Sequence, residues 1–93
     1  MIKFSEVHDM LESHNGIGLM YYTKPTHKAV IDKDGEDLTV NFTTEGMPIG
    51  TLKTKSYKFA SKVMNMFFAR CDKVKVMVLH YSSGTKKDEE PEV

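Results

Sequence analysis

The run Leu38-Thr39-Val40-Asn41-Phe42 alternates apolar and polar residues without a break, and an Asp34-Gly35 pair stands just before it. A period of two belongs to a strand with one dry and one wet face. Asp-Gly between two extended runs is a hairpin signal, because glycine takes the positive φ that a tight turn needs. Together these features commit the middle of the chain to an antiparallel sheet. Ala29-Val30-Ile31 supplies the other arm of the hairpin. Upstream, Leu19 to Thr23 is rich in strand formers and is punctuated by Lys24-Pro25-Thr26. Downstream, Glu45-Gly46-Met47-Pro48 turns the chain again. Ile49 to Lys53 follows as a further strand, and Lys75 to Tyr81 as the last.

Two segments carry helical spacing instead. Phe4, Val7, Met10 and Leu11 form one apolar stripe behind a cap at Ser5, and His14-Asn15-Gly16 ends it. In the second helix, capped by Thr54 or Ser56, the stripe is Ala60, Val63, Met64, Phe67 and Cys71. Tyr57, Phe59, Met66 and Phe68 flank it, so the apolar arc spans about 200°, wider than one sheet needs. Either the first helix and the sheet share that arc between them, or Met66 and Phe68 edge a partner interface.

The order is α-β-β-β(-β)-α-β. That is an α+β fold, with two helices on one face of a mostly antiparallel sheet of three to five strands. With 93 residues there is room for one domain, expected over residues 1–81, and the polar stretch 82–93 is expected to be a disordered charged tail. No apolar run approaches the roughly 18 residues that cross a membrane, and the first residues lack the apolar core of a secretory signal. A single cysteine, Cys71, leaves no internal disulfide framework. A cytoplasmic location is expected.

The formal charge is zero, with 13 basic and 13 acidic residues, yet the distribution is uneven. Residues 1–49 hold four lysines against eight acids. Residues 50–80 hold Lys53, Lys55, Lys58, Lys62, Arg70, Lys73 and Lys75 against Asp72 alone. The tail is acidic again. Such asymmetry bears on partners more than on fold. Lys55, Lys58 and Lys62 are expected within about 60° of one another, opposite the apolar arc of the second helix. A cation near a helix start is disfavoured by roughly 0.3–1 kcal/mol, so lysines there suit an anion such as phosphate. The plainer alternative is a solubilising face.

The stretch from Gly50 to Ala60, with Lys53, Lys55, Ser56 and Lys58, resembles the strand end and basic helix start of the double-stranded-RNA-binding domain. Pro25-Thr26-His27 is similar to the Pro-x-His of that family's loop. The resemblance implies a helix–sheet–helix fold in which the lysines span phosphates across the RNA major groove. The first helix and the His27 loop would then reach the flanking minor grooves. Tyr57 and Ser61 stand where that family prefers lysine, and the strand at 75–81 has no place in its minimal fold.

Other chemistry finds little support. Asp32, Asp34, Glu36 and Asp37 lack the spacing of a calcium loop, and the four histidines show no paired metal spacing. No nucleophile elbow or phosphate loop is present, so no catalytic role and no cofactor are expected. Tyr21, Tyr22, Tyr57 and Tyr81 are potential stacking platforms. Tyr21 and Tyr22 must point to opposite sides of their strand, so at most one is outward. The expectation is a small non-enzymatic nucleic-acid-binding module, RNA favoured, using Lys53, Lys55, Lys58 and Lys62 with Lys73 and His27. The competing expectation is a protein-binding inhibitor or adaptor, of the kind bacteriophages encode, directed at an acidic partner. A homodimer is compatible with either.

Overall fold

In the computed structural model, residues 1–13, 17–23 and 26–80 are described. The chain runs α1 (Phe4–Ser13), β1 (Ile17–Tyr22), β2 (His27–Asp34), β3 (Asp37–Thr44), β4 (Met47–Thr54), α2 (Tyr57–Phe67) and β5 (Lys75–His80). The five strands form one antiparallel sheet in the order β4-β3-β2-β1-β5. The α+β class and the element order agree with the sequence expectation. The tail expected at 82–93 lies outside the described residues, as do the helix stop at His14 to Gly16 and the Lys24-Pro25 pair.

Turn chemistry sets the register. Gly35 has φ +64°, and Asp34 faces Asp37 across a two-residue turn that holds Gly35 and Glu36. At the next hairpin Glu45 and Gly46 both take positive φ, 53° and 80°, as the primed hairpin turns require. β4 departs from regular pairing once, where Phe42 faces Gly50 and Thr43 faces Pro48. Ile49 is therefore the extra residue of a bulge.

Alternation then separates the two sides of the sheet. Ile17, Leu19 and Tyr21 of β1, Ala29 and Ile31 of β2, and Leu38, Val40 and Phe42 of β3 are buried on one side. Both helices cover that side, α1 over β1 and α2 over β3 and β4. Val7 and Leu11 from α1, with Ala60 and Met64 from α2, complete the core. The apolar arc of α2 is thus shared by the sheet and by α1.

Several expectations about individual residues are corrected. α1 begins at Phe4, so Ser5 lies in its first turn and is not its cap. Phe4 itself is exposed, at the end of the stripe, beneath the Lys58 ammonium. Ser56 caps α2, its hydroxyl accepting the Phe59 N–H at 3.0 Å, and Thr54 Oγ1 accepts the Ser56 N–H at 3.1 Å. Cys71 lies beyond the helix, half-buried. Phe68, expected to edge a partner surface, is interior: as the C-cap of α2 it turns inward and packs on Phe67 at 4.9 Å between ring centres. Met66 remains exposed.

Candidate nucleic-acid interface

The lysines expected to form one ridge divide into two groups. Lys53 sits on β4 opposite Thr39. Lys55 precedes α2 rather than belonging to it, since the helix starts at Tyr57. Both line a depression with Asp34 and Asp37 of the β2–β3 hairpin, and the Lys55 ammonium lies 3.9 Å from Glu36. The acidic turn and the start of α2 come together because β4 runs antiparallel to β3 and ends beside the turn where β3 begins. An exposed pair of this kind is worth little in stability, about 0–1 kcal/mol. It does, however, place carboxylates among the ammonium groups.

Lys58 and Lys62 point elsewhere. They stand one helical turn apart on α2 and line an open groove with Lys3, Phe4, Ser61 and Asn65. Lys58 Nζ lies 5.2 Å from the centre of the Phe4 ring. Among the described residues no carboxylate pairs with Lys3, Lys58 or Lys62. Of the α1 carboxylates, Asp9 lines the adjoining depression with Phe4 and Lys58, and the other two lead away from the groove. Glu6 acts on Tyr21 over β1, while Glu12 binds the Tyr57 hydroxyl at 3.0 Å and Lys33 at 3.7 Å. Ser61 adds a buried hydroxyl with no hydrogen-bond partner among the described residues. The groove therefore gathers three cations, one aromatic ring and one unspent hydroxyl.

Sequence spacing missed Lys3, which lies 55 positions before Lys58 in the chain. The signal that brings it in is structural: Asn65 of α2 bonds the Ile2 backbone at both its N–H and its C=O, so the residues before α1 lie along α2. His27 opens β2 and does not join this groove. Its ring stacks on Phe67 at 5.0 Å between centres, and its Nδ1 lies 3.0 Å from Thr26 Oγ1. Lys73 holds φ +57° in the turn before β5 and is also apart from the groove.

Among the described residues, no helix covers the opposite side of the sheet. Register places Lys75, Tyr22 and Lys28 in one row across β5, β1 and β2, since Tyr22 faces both lysines. The next row is Met77, Met20, Val30, Asn41 and Thr51, where Thr51 donates to Asn41 Oδ1 at 2.7 Å. Beyond it run Leu79, Gly18, Asp32, Thr39 and Lys53. Tyr21, on the other side of the strand, is buried. Its hydroxyl pKa is pushed up to about 12 by burial, with the Glu6 charge adding to the effect.

Among the described residues, β5 is an edge strand with one neighbour. Val76, Met77 and Val78 are exposed, so it presents apolar side chains to both sides along with backbone groups that no other described strand pairs. No helix among the described residues is long and apolar enough to cross a membrane. In comparisons with protein-family models, curated proteins and solved structures, nothing matches this chain.

Proposed function

We propose that this chain is a small nucleic-acid-binding module, RNA favoured, whose phosphate contacts centre on Lys3, Lys58 and Lys62. The observation that carries this reading is that these three ammonium groups share one groove with no carboxylate paired to them among the described residues. Phosphates are attracted to such a cluster independently of base sequence, and each contact releases condensed counterions. Ser61 lies in the wall of the same groove with its hydroxyl buried, and the Lys58 ammonium lies 5.2 Å from the Phe4 ring centre at its rim. Lys53 and Lys55 contribute less, because the β2–β3 turn already supplies their counter-charge.

Fluorescence anisotropy of a labelled 20-base-pair RNA, titrated with the full chain between 50 and 200 mM salt, tests the reading. About three phosphate contacts give a slope of log affinity on log salt near −2 to −3. The K58E/K62E variant is expected to lose most of that affinity. Affinity that does not change with salt, or that survives the double charge reversal, rejects it.

A second reading rests on the β5 edge. Val76, Met77 and Val78, exposed on a strand with an open edge, suit strand addition by a protein partner or by a second copy. It predicts a complex that survives nuclease treatment and is lost in M77P, which removes a backbone donor from β5 and bends the strand. A nuclease-resistant complex that M77P leaves intact rejects it.

A further inference from the structure

We infer that the helix-free side of the sheet is a second nucleic-acid surface, one that takes unpaired bases, with Tyr22 as the stacking platform and Lys28 and Lys75 as its phosphate clamps. This rests on the nucleic-acid reading above but uses different residues on the opposite layer of the molecule.

Three observations carry it. First, Tyr22 sits between two lysines in a single cross-strand row, paired with Lys28 of β2 and Lys75 of β5. Neighbouring strands lie about 4.8 Å apart, so the two lysine positions are about 10 Å apart with the ring between them. A nucleotide stacked on that ring has a phosphate on each side, and one lysine is placed for each. Second, the ring is half-buried and outward, and among the described residues no cation lies over its face. Met20, Val30 and Met77 in the adjacent row extend an apolar floor beside it. Third, charge favours a polyanion. The Tyr22 row and the row beside it carry Lys28 and Lys75 and no carboxylate, while Asp32, Asp34 and Asp37 lie farther along the sheet with Lys53. The side chains of an acidic peptide would satisfy the lysines but bring no aromatic plane to the ring, whereas every base has one.

The division of labour follows from shape. The groove by α2 offers clustered cations beside a Phe4 ring already engaged by the Lys58 ammonium, which suits the backbone of a duplex. The sheet offers a plane flanked by cations, which suits a strand whose bases are splayed out.

The test compares a labelled ten-nucleotide oligouridylate with the labelled 20-base-pair RNA, using Y22F, Y22S, K28Q/K75Q and K58E/K62E. Y22F keeps a ring and is expected to bind the single strand within twofold of the parent. Y22S and K28Q/K75Q are each expected to weaken it about tenfold or more, while duplex affinity stays within twofold. K28Q/K75Q guards against a Y22S chain that fails to fold. Single-strand affinity unchanged in both Y22S and K28Q/K75Q, but lost in K58E/K62E, overturns the sheet surface and leaves the nucleic-acid reading standing. If the parent binds neither RNA with salt-dependent affinity, both fall. Capture of an acidic protein that Y22S leaves intact also overturns the assignment.

Discussion

Asn65 holds Ile2 through both ends of its amide: the Ile2 N–H donates to Asn65 Oδ1 at 2.8 Å, and Asn65 Nδ2 donates to the Ile2 carbonyl at 2.9 Å. The side chain thus completes a backbone-like pair between segments 63 residues apart in the chain and seats the buried Ile2 in the core. Replacing it by alanine leaves two partly buried backbone groups unpaired, at about 1–3 kcal/mol. N65A is expected to lower the urea midpoint accordingly. An unchanged midpoint contradicts the clamp. Because the same pair lays Lys3 along α2, N65A is also expected to weaken duplex RNA binding.

Ser61 separates stability from function. Its hydroxyl is buried and unpaired, so S61A removes an uncompensated polar group and places a better helix former in α2. Stability is expected to rise by about 1 kcal/mol, while RNA affinity falls if the hydroxyl serves a phosphate. Urea unfolding and anisotropy read the two effects separately. A rise in both would remove Ser61 from the interface.

The acidic β2–β3 turn restrains Lys53 and Lys55. Converting Asp34, Glu36 and Asp37 to their amides is expected to cost little stability, since the pair it breaks is exposed. It is expected to tighten polyanion binding and steepen the salt slope by about one or two contacts. A slope that stays at the parent value would place both lysines outside the contact surface.

Alkaline pH is expected to destabilise the fold. Burial pushes Tyr21 up to about 12, with Glu6 adding. Tyr57 also reaches about 12, through burial first and then its hydrogen bond to Glu12. An unfolded tyrosine releases its proton near 10. Below that pH both states hold their protons and stability is unaffected. Between 10 and 12 the unfolded chain ionises while the folded one resists, so stability falls as pH rises. Urea midpoints from pH 8 to 11.5 should show the loss beginning near 10, and Y21F should flatten it. Tyrosinate absorbance of the folded chain that shows all its tyrosines titrating near 10 contradicts the shift.

Local chemistry made much of this architecture readable beforehand. Ser56 caps α2, glycine-bearing turns close the two hairpins, and Leu38 to Phe42 alternates in burial as its residues alternate in polarity. What spacing could not supply was adjacency between distant segments. Lys53 and Lys55 are close to Lys58 in sequence, but the antiparallel return of β4 sets them beside the acidic turn. Lys3 is far from Lys58 in sequence, yet the Asn65 clamp brings it into the groove. Helical periodicity extended to Cys71 sets Phe68 on an outer flank, but α2 ends at Phe67 and the chain turns inward there. The Tyr22 row depends on which strand lies on the far side of β1, and only the position of β5 decides that.

That position also shapes how the molecule forms. β1 has β2 on one flank from early in synthesis, but its other flank waits for residues 75–80, after every remaining element has been made. Until then an interior strand stands bare on one side. The closing step must bring together segments separated by more than half the chain, a slow event for so short a protein. During that interval the nascent molecule can be captured by any passing strand, so the yield of native protein in the cell would depend on how soon its last strand arrives.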